Sequence, residues 1–266
     1  MSEQGISRSE SMRKGIYILP NLFTTGSLFA GFYGMISGVN GDFRTAAICI
    51  LISAVFDGLD GKVARATGTT SKFGVEYDSL ADLVAFGVAP GLIMYFWALR
   101  PFGRLGWLAA FLFVVCGALR LARFNVQVDT VESKRFVGLP IPAAASMVSA
   151  TVLFFHHMGW PSSYKKLAIL ILIYCLAFLM VSSIKYYSFK DPELIKRQPF
   201  GFLVLAVLLL IVIAAEPAIM MFVLFVCYIL SGPVTFLVTW PRRRRLEKAL
   251  HKGHEEMVQS GRKSDS

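Results

Sequence analysis

The chain has 266 residues, 55% of them hydrophobic and 17% charged, with a mean hydropathy of +0.59. A soluble domain of this length carries roughly a quarter of its residues as charges, so an ordinary water-soluble enzyme is excluded; apolar runs along nearly the whole length exclude a protein held by one anchor. The net charge of +10, from 27 Lys/Arg against 17 Asp/Glu, reads as topology-setting charge at membrane loops and not as a nucleic-acid surface.

Residues 1–15 are polar and read as a cytoplasmic N-terminal segment with no cleavable signal pattern. Apolar segments then follow at 16–39, 45–64, 74–99, 105–123, 139–158, 167–184, 199–215 and 218–240. Each is close to the roughly 20 residues that a helix needs to cross a bilayer. The fold class is therefore all-α: a polytopic membrane bundle of about eight helices. Glu216-Pro217 breaks the last two apart. The second is the weakest span, because Asp57 interrupts its apolar run. Cys49, Cys116, Cys175 and Cys227 all fall inside apolar runs, without metal-ligand spacing. The tail 241–266 is basic, with Arg242–Arg245 placed to anchor at anionic headgroups.

Lys and Arg divide unevenly between the two sides of such a bundle. With the N-terminus inside, 22 lie on the inner side and 5 on the outer. That asymmetry predicts cytoplasmic termini, and it puts residues 57–82 at the cytoplasmic face.

Those residues are the informative ones. Asp57 and Asp60 are three apart, and Asp78 and Asp82 are four apart, so each pair lies on one helix face. A short loop, taken as 66–73, makes the two helices antiparallel neighbours and lets the four carboxylates converge. A carboxylate near the bilayer interior costs about 2.5–3.5 kcal/mol on insertion scales, and four together also repel. A divalent cation resolves the conflict; all-oxygen ligands favour Mg2+, Mn2+ or Ca2+ over zinc. Convergent carboxylates can hold two ions in the clamp suited to phosphoryl chemistry. Gly61 and Gly74 lower the wall beside the cluster, Arg65 is one turn beyond Gly61, and Ser71 adds a hydroxyl.

The run Asp60-Gly61, two residues, Ala64-Arg65, eight residues, Gly74, three residues, Asp78, three residues, Asp82, opened by Asp57, resembles the signature of the CDP-alcohol phosphatidyltransferases. Over about residues 16–190 the likeness is finer. Leu19-Pro20-Asn21-Leu22-Phe23-Thr24, Asp78-Ser79-Leu80-Ala81-Asp82, Ala118-Leu119-Arg120-Leu121-Ala122-Arg123-Phe124-Asn125, Gly138-Leu139-Pro140-Ile141-Pro142 and Ser183-Ile184-Lys185-Tyr186-Tyr187-Ser188-Phe189-Lys190 are similar to the phosphatidylserine synthase branch. The resemblance implies a six-helix core over 16–190, to which residues 191–240 add a further helix pair.

It also implies transfer of a phosphatidyl group from CDP-diacylglycerol to L-serine, releasing CMP, in a homodimer of the cytoplasmic membrane. By the same resemblance Asp57, Asp60, Asp78 and Asp82 hold the metal, Asp82 acts as general base, and Asn21, Gly61, Ala64, Arg65, Ser71 and Gly74 line the CDP-lipid site. Arg120 or Arg123, with Asn125 behind them, is the candidate clamp for the serine carboxylate; Lys134 and Arg135 have a weaker claim. Other acceptors (glycerol 3-phosphate, inositol phosphate) and an archaeal ether-lipid donor stay open. A cation transporter is the rival of a different class, but it would spread acidic residues across the bilayer. A phospholipase-type synthase is excluded, since His156, His157, His251 and His254 all lack a Lys two residues on.

Overall fold

The computed structural model describes residues 3–69, 71–128, 136–159, 162–186 and 215–238. Among the described residues the chain forms seven helices: α1 Glu3–Val39, α2 Phe43–Thr67, α3 Lys72–Phe102, α4 Arg104–Val128, α5 Ile141–Met158, α6 Ser162–Val181 and α7 Pro217–Val238. Leu19–Val39 of α1, together with α3, α4, α5 and α7, has the length and apolar composition to cross a membrane, and α6 adds the shorter apolar helix Lys166–Val181. The protein is a polytopic membrane helix bundle. Seven of the eight expected spans have a helix. The eighth, 199–215, lies outside the described residues but for its last residue, as do Lys134, Arg135 and the tail 241–266.

Helix ends follow local chemistry. The Asp42 carboxylate accepts the Thr45 N–H at 3.0 Å and caps α2, which holds the Asp42 pKa below the ordinary carboxylate value. At its other end α2 stops at Gly68, left-handed at φ 64°, whose N–H bonds to the Ala64 carbonyl. Ser71 then caps α3 by accepting the Gly74 N–H at 3.0 Å. The connection is therefore 68–71, tighter than the 66–73 loop expected, because a glycine cap and a serine cap close it from both sides. Asp57 does not interrupt α2, which continues through it to Thr67.

Close approach of α1 to its neighbours rests on glycine. A Cβ on Gly31 would lie 2.7 Å from the Ala85 Cα, and one on Gly38 would lie 2.9 Å from the Ile93 Cγ1. Both are on the face against α3, while Gly34 faces Ala46 and Cys49 of α2. With no hydrophobic drive between helices in lipid, such backbone proximity supplies the packing energy. α3 widens into a π turn at Leu83–Val88, where the Ala89 N–H reaches the Val84 carbonyl five residues back. The turn immediately precedes Pro90, which has no N–H to offer.

A two-residue antiparallel pair joins two motifs distant in sequence. β1 (Phe136–Val137) pairs with β2 (Lys185–Tyr186), Phe136 opposite Tyr186. Gly138 N–H donates to the Ile184 carbonyl at 2.8 Å and Leu139 N–H to the Leu179 carbonyl at 3.0 Å. The up-and-down course of the helices thus gathers the end of α2, the start of α3, the end of α4, the start of α5 and the end of α6 at one end of the bundle. Cys49 and Cys116 are buried in it, while Cys175 and Cys227 are exposed on its apolar outside.

Candidate active site

The four aspartates meet at that end as two cross-helix pairs. Asp57 of α2 lies beside Asp82 of α3, and Asp60 of α2 beside Asp78 of α3. The pairing is what an antiparallel register demands: the residue farther from the connection on α2 meets the one farther from it on α3. Asp60 and Asp82 are buried, at 5% and 9% exposure; Asp57 and Asp78 are half-buried. Asp57, Asp60 and Asp78 each offer a carboxylate oxygen, and these oxygens all lie within 4.8 Å of one another. Asp82 joins this trio through Asp57 and stands to one side of it.

Unit charges this close repel by about 4 kcal/mol per pair at an effective dielectric near 20. Carboxylates folded into such proximity fit a cation, and an all-oxygen donor set fits a hard divalent one. Asp57, Asp60 and Asp78 are therefore the residues able to hold a divalent metal.

α1, expected to contribute Asn21, also contributes Thr24, to which the sequence analysis assigned no role. Thr24 Oγ1 donates to Asp60 Oδ2 at 2.8 Å, closer than its alternative acceptor, the Pro20 carbonyl at 3.2 Å. Thr24 is buried, at 4% exposure. Its signal was present in the sequence: it lies three residues after Asn21, on the same helix face. Thr25 gives its own hydroxyl hydrogen to the Asn21 carbonyl at 2.7 Å, which leaves the Tyr77 hydroxyl to donate to Thr25 Oγ1 at 2.9 Å. This second link ties α1 to α3.

Of the residues expected at the CDP-lipid site, three come together directly. A Cβ on Gly74 would lie 3.1 Å from Ser71 Oγ and 3.5 Å from Asn21 Oδ1. Gly61 and Arg65 form a second group, with the guanidinium Nη1 of Arg65 3.4 Å from a Cβ built on Gly61. Arg65 is exposed and Ala64 half-buried one turn beyond Gly61. Ser71 is already an acceptor for Gly74 N–H, and its hydroxyl hydrogen remains available to donate.

The two candidate serine-binding arginines are in different settings. Arg120 is half-buried and interacts electrostatically with Asp82, Tyr228 and Asp57. Its Nε is buried without a hydrogen-bond partner among the described residues. Arg123, one turn on, is exposed. Asn125 donates from Nδ2 to Ser79 Oγ at 3.0 Å, which fixes the end of α4 against α3 between Asp78 and Asp82. Ser79 is a second residue that spacing alone did not single out.

Residues 17–183 match the CDP-alcohol phosphatidyltransferase family, and the chain belongs to that family. Among its relatives is the CDP-diacylglycerol–serine O-phosphatidyltransferase of Helicobacter pylori, 46% identical over 178 residues, covering 67% of this chain and 75% of the relative. The archaetidylserine synthase of Methanothermobacter thermautotrophicus is 38% identical over 170 residues, covering 63% of this chain and 69% of the relative. A CDP-diacylglycerol–serine O-phosphatidyltransferase of Mycobacterium leprae is 41% identical over 148 residues, covering 53% and 49%.

Proposed function

We propose that this protein transfers the phosphatidyl group of CDP-diacylglycerol to the hydroxyl of L-serine, forming phosphatidylserine and CMP at the cytoplasmic face of the cytoplasmic membrane. The observation that carries this reading is the meeting of four aspartates as two cross-helix pairs, with Arg120 beside them. Serine is favoured over other acceptors because the names of all three relatives above specify it.

Each residue has a role that its position supports. Asp57, Asp60 and Asp78 hold Mg2+ or Mn2+, which when bound offsets charge on the pyrophosphate. Arg65, over the glycine gap at Gly61, forks onto the same pyrophosphate, and Asn21, Ser71 and Gly74 form the opposite wall of the CDP site. Arg120 takes the serine carboxylate. A serine hydroxyl is a weak nucleophile at neutral pH, and Asp82, beside the metal trio but outside it, accepts its proton. The serine oxygen then bonds to the phosphorus that carries diacylglycerol, and the bond from that phosphorus to the CMP oxygen breaks. The acyl chains stay in the bilayer throughout, which is why the site sits at one end of a membrane bundle. The 22-to-5 split of basic residues supports cytoplasmic termini, and the family resemblance supports a homodimer.

The test is CMP release by purified protein with CDP-diacylglycerol, Mn2+ or Mg2+, and L-serine, glycerol 3-phosphate or inositol 1-phosphate as acceptor, alongside Asp82→Asn. Serine-dependent release that is lost in Asp82→Asn is expected. Release with a different acceptor alone overturns the serine assignment but keeps the metal site. No metal-dependent release with any acceptor, with diacyl or ether-lipid donor, overturns the transferase reading.

A further inference from the structure

α1 is held to α2 by contacts of different kinds. Farthest from the site, Gly34 of α1 lies against α2, where a Cβ built on it would be 3.2 Å from the Ala46 carbonyl oxygen and from the Cys49 Cβ. Packing of small residues keeps helices close in lipid, but dispersion has no direction and does not stop one helix sliding on the other. Nearest the site, Thr24 donates to Asp60 at 2.8 Å. Between these contacts lie two serines, Ser27 at 1% exposure and Ser53 at 0%. Ser53 Oγ donates to the Ser27 carbonyl at 2.9 Å. A hydroxyl has one hydrogen to give, so the 2.7 Å bond between the two hydroxyls takes its hydrogen from Ser27. The Ser53 carbonyl, at 3.2 Å, is the longer alternative acceptor for Ser27. Each serine therefore donates once, and both bonds cross from one helix to the other.

The clasp is in line with the aspartates. Ser27 is three residues after Thr24 on α1, and Ser53 is four before Asp57 and seven before Asp60 on α2, spacings that keep each set on one helix face. Hydrogen bonds weaken steeply with length and angle, so a slide or a rotation of α1 breaks both serine bonds at once. The Thr24 hydroxyl also has a second acceptor within reach, the Pro20 carbonyl at 3.2 Å, to which it can turn when Asp60 moves away. We propose that the Ser27–Ser53 clasp fixes the register of α1 on α2, so that Thr24 stays on Asp60 and the trio of Asp57, Asp60 and Asp78 is already assembled before a metal arrives. Ser27 and Ser53 are positioning residues: they act through Thr24 and Asp60 and touch neither metal nor substrate. This inference rests on the metal-holding role proposed above for the trio.

The test is calorimetric titration of full-length protein with Mn2+, together with Tm in detergent, for Ser27→Ala, Ser53→Ala and both, each in the wild-type and the Thr24→Val background. Alanine suits a helix and removes only the hydroxyl. Two interhelical hydrogen bonds in a membrane bundle correspond to about a tenfold change in an equilibrium, so the double variant is expected to raise the Mn2+ Kd roughly three- to tenfold. In the Thr24→Val background the same two substitutions should change the Kd less than twofold, because the bond they protect is already gone, whereas the Tm losses should add. Each single variant leaves one of the two bonds, so the singles carry the same test where the double variant does not fold. An unchanged Kd with a lowered Tm, or a rise in Kd that is as large without Thr24 as with it, overturns the proposal and leaves the clasp a stabilising contact alone. Failure of the wild-type protein to bind Mn2+ instead overturns the metal reading on which it rests, so the two failures are distinguishable.

Discussion

Thr24 of α1 and Asp60 of α2 are joined by a 2.8 Å hydrogen bond buried at the active end of the bundle. The bond makes α1 part of the metal site although it carries no carboxylate there. It holds the Asp60 carboxylate in place beside those of Asp57 and Asp78, one oxygen from each of the three lying within 4.8 Å of the others. Thr24→Val preserves shape and deletes the donor. Because hydrogen bonds to charged groups contribute about 1.5–3 kcal/mol, the Mn2+ concentration giving half-maximal CMP release should rise by one to two orders of magnitude, and Thr24→Ser should restore most of the loss. An unshifted metal titration in Thr24→Val would leave the bond a packing detail.

Metal removal should separate the aspartates by role. Chelation is expected to abolish CMP release, and Mn2+ or Mg2+ to restore it. Asp60→Asn and Asp78→Asn remove charge from the trio whose oxygens lie within 4.8 Å of one another, so both should lose Mn2+ binding measured calorimetrically. Asp82→Asn, one step outside the trio, should keep binding within a few-fold while losing turnover by 10²–10⁴, the usual contribution of a general base. Equal loss of binding in all three variants would make Asp82 a ligand first.

The two arginines that are equivalent by spacing should differ in effect. Arg120→Lys exchanges a planar fork for a point charge beside Asp82, and the serine KM should rise at least tenfold with kcat changed less. Arg123→Lys changes an exposed side chain and should stay within twofold. The opposite order in serine titrations would move the carboxylate clamp one turn along α4.

How far the sequence anticipates this site depends on how each feature is encoded. The aspartates were legible because i,i+3 and i,i+4 spacing across a short connection fixes both face and proximity, and Asn21, Ser71 and Gly74 were legible through the family signature. Thr24 was not, because its role depends on how α1 crosses α2, and no local periodicity states a crossing. The docking of α7 was invisible for a stronger reason: Tyr186 packs against Ile229 and Gly232 on a helix beyond the shared core, and only the β1–β2 pair, which places Tyr186, shows why α7 docks where it does. The loop between α2 and α3 was read too long because two caps act at once: a left-handed Gly68 and an accepting Ser71. Hydropathy marks where helices lie, and seven of the eight expected spans fall on described helices, whereas contacts between helices are set by small residues such as Gly31, whose importance appears only once its neighbour is known.

Gly31 gives the sharpest test of that packing. A Cβ there would lie 2.7 Å from the Ala85 backbone, a contact with no flexible atom to yield, so α1 must move away from α3. Overpacking of this kind costs about 1–3 kcal/mol. Gly31→Val should lower the apparent Tm in detergent by several degrees, and because Thr24 and Asp78 lie on the two helices being separated, the Mn2+ requirement should rise as well. Gly58 is the matched control: nothing lies within 4 Å of a Cβ built on it, and it too is inside a helix. Gly58→Ala should leave Tm unchanged or slightly raised, since alanine is favoured over glycine in a helix by up to about 1 kcal/mol. Equal losses at both positions would overturn the assignment to the close approach of α1 to α3, because helix propensity favours both substitutions over glycine.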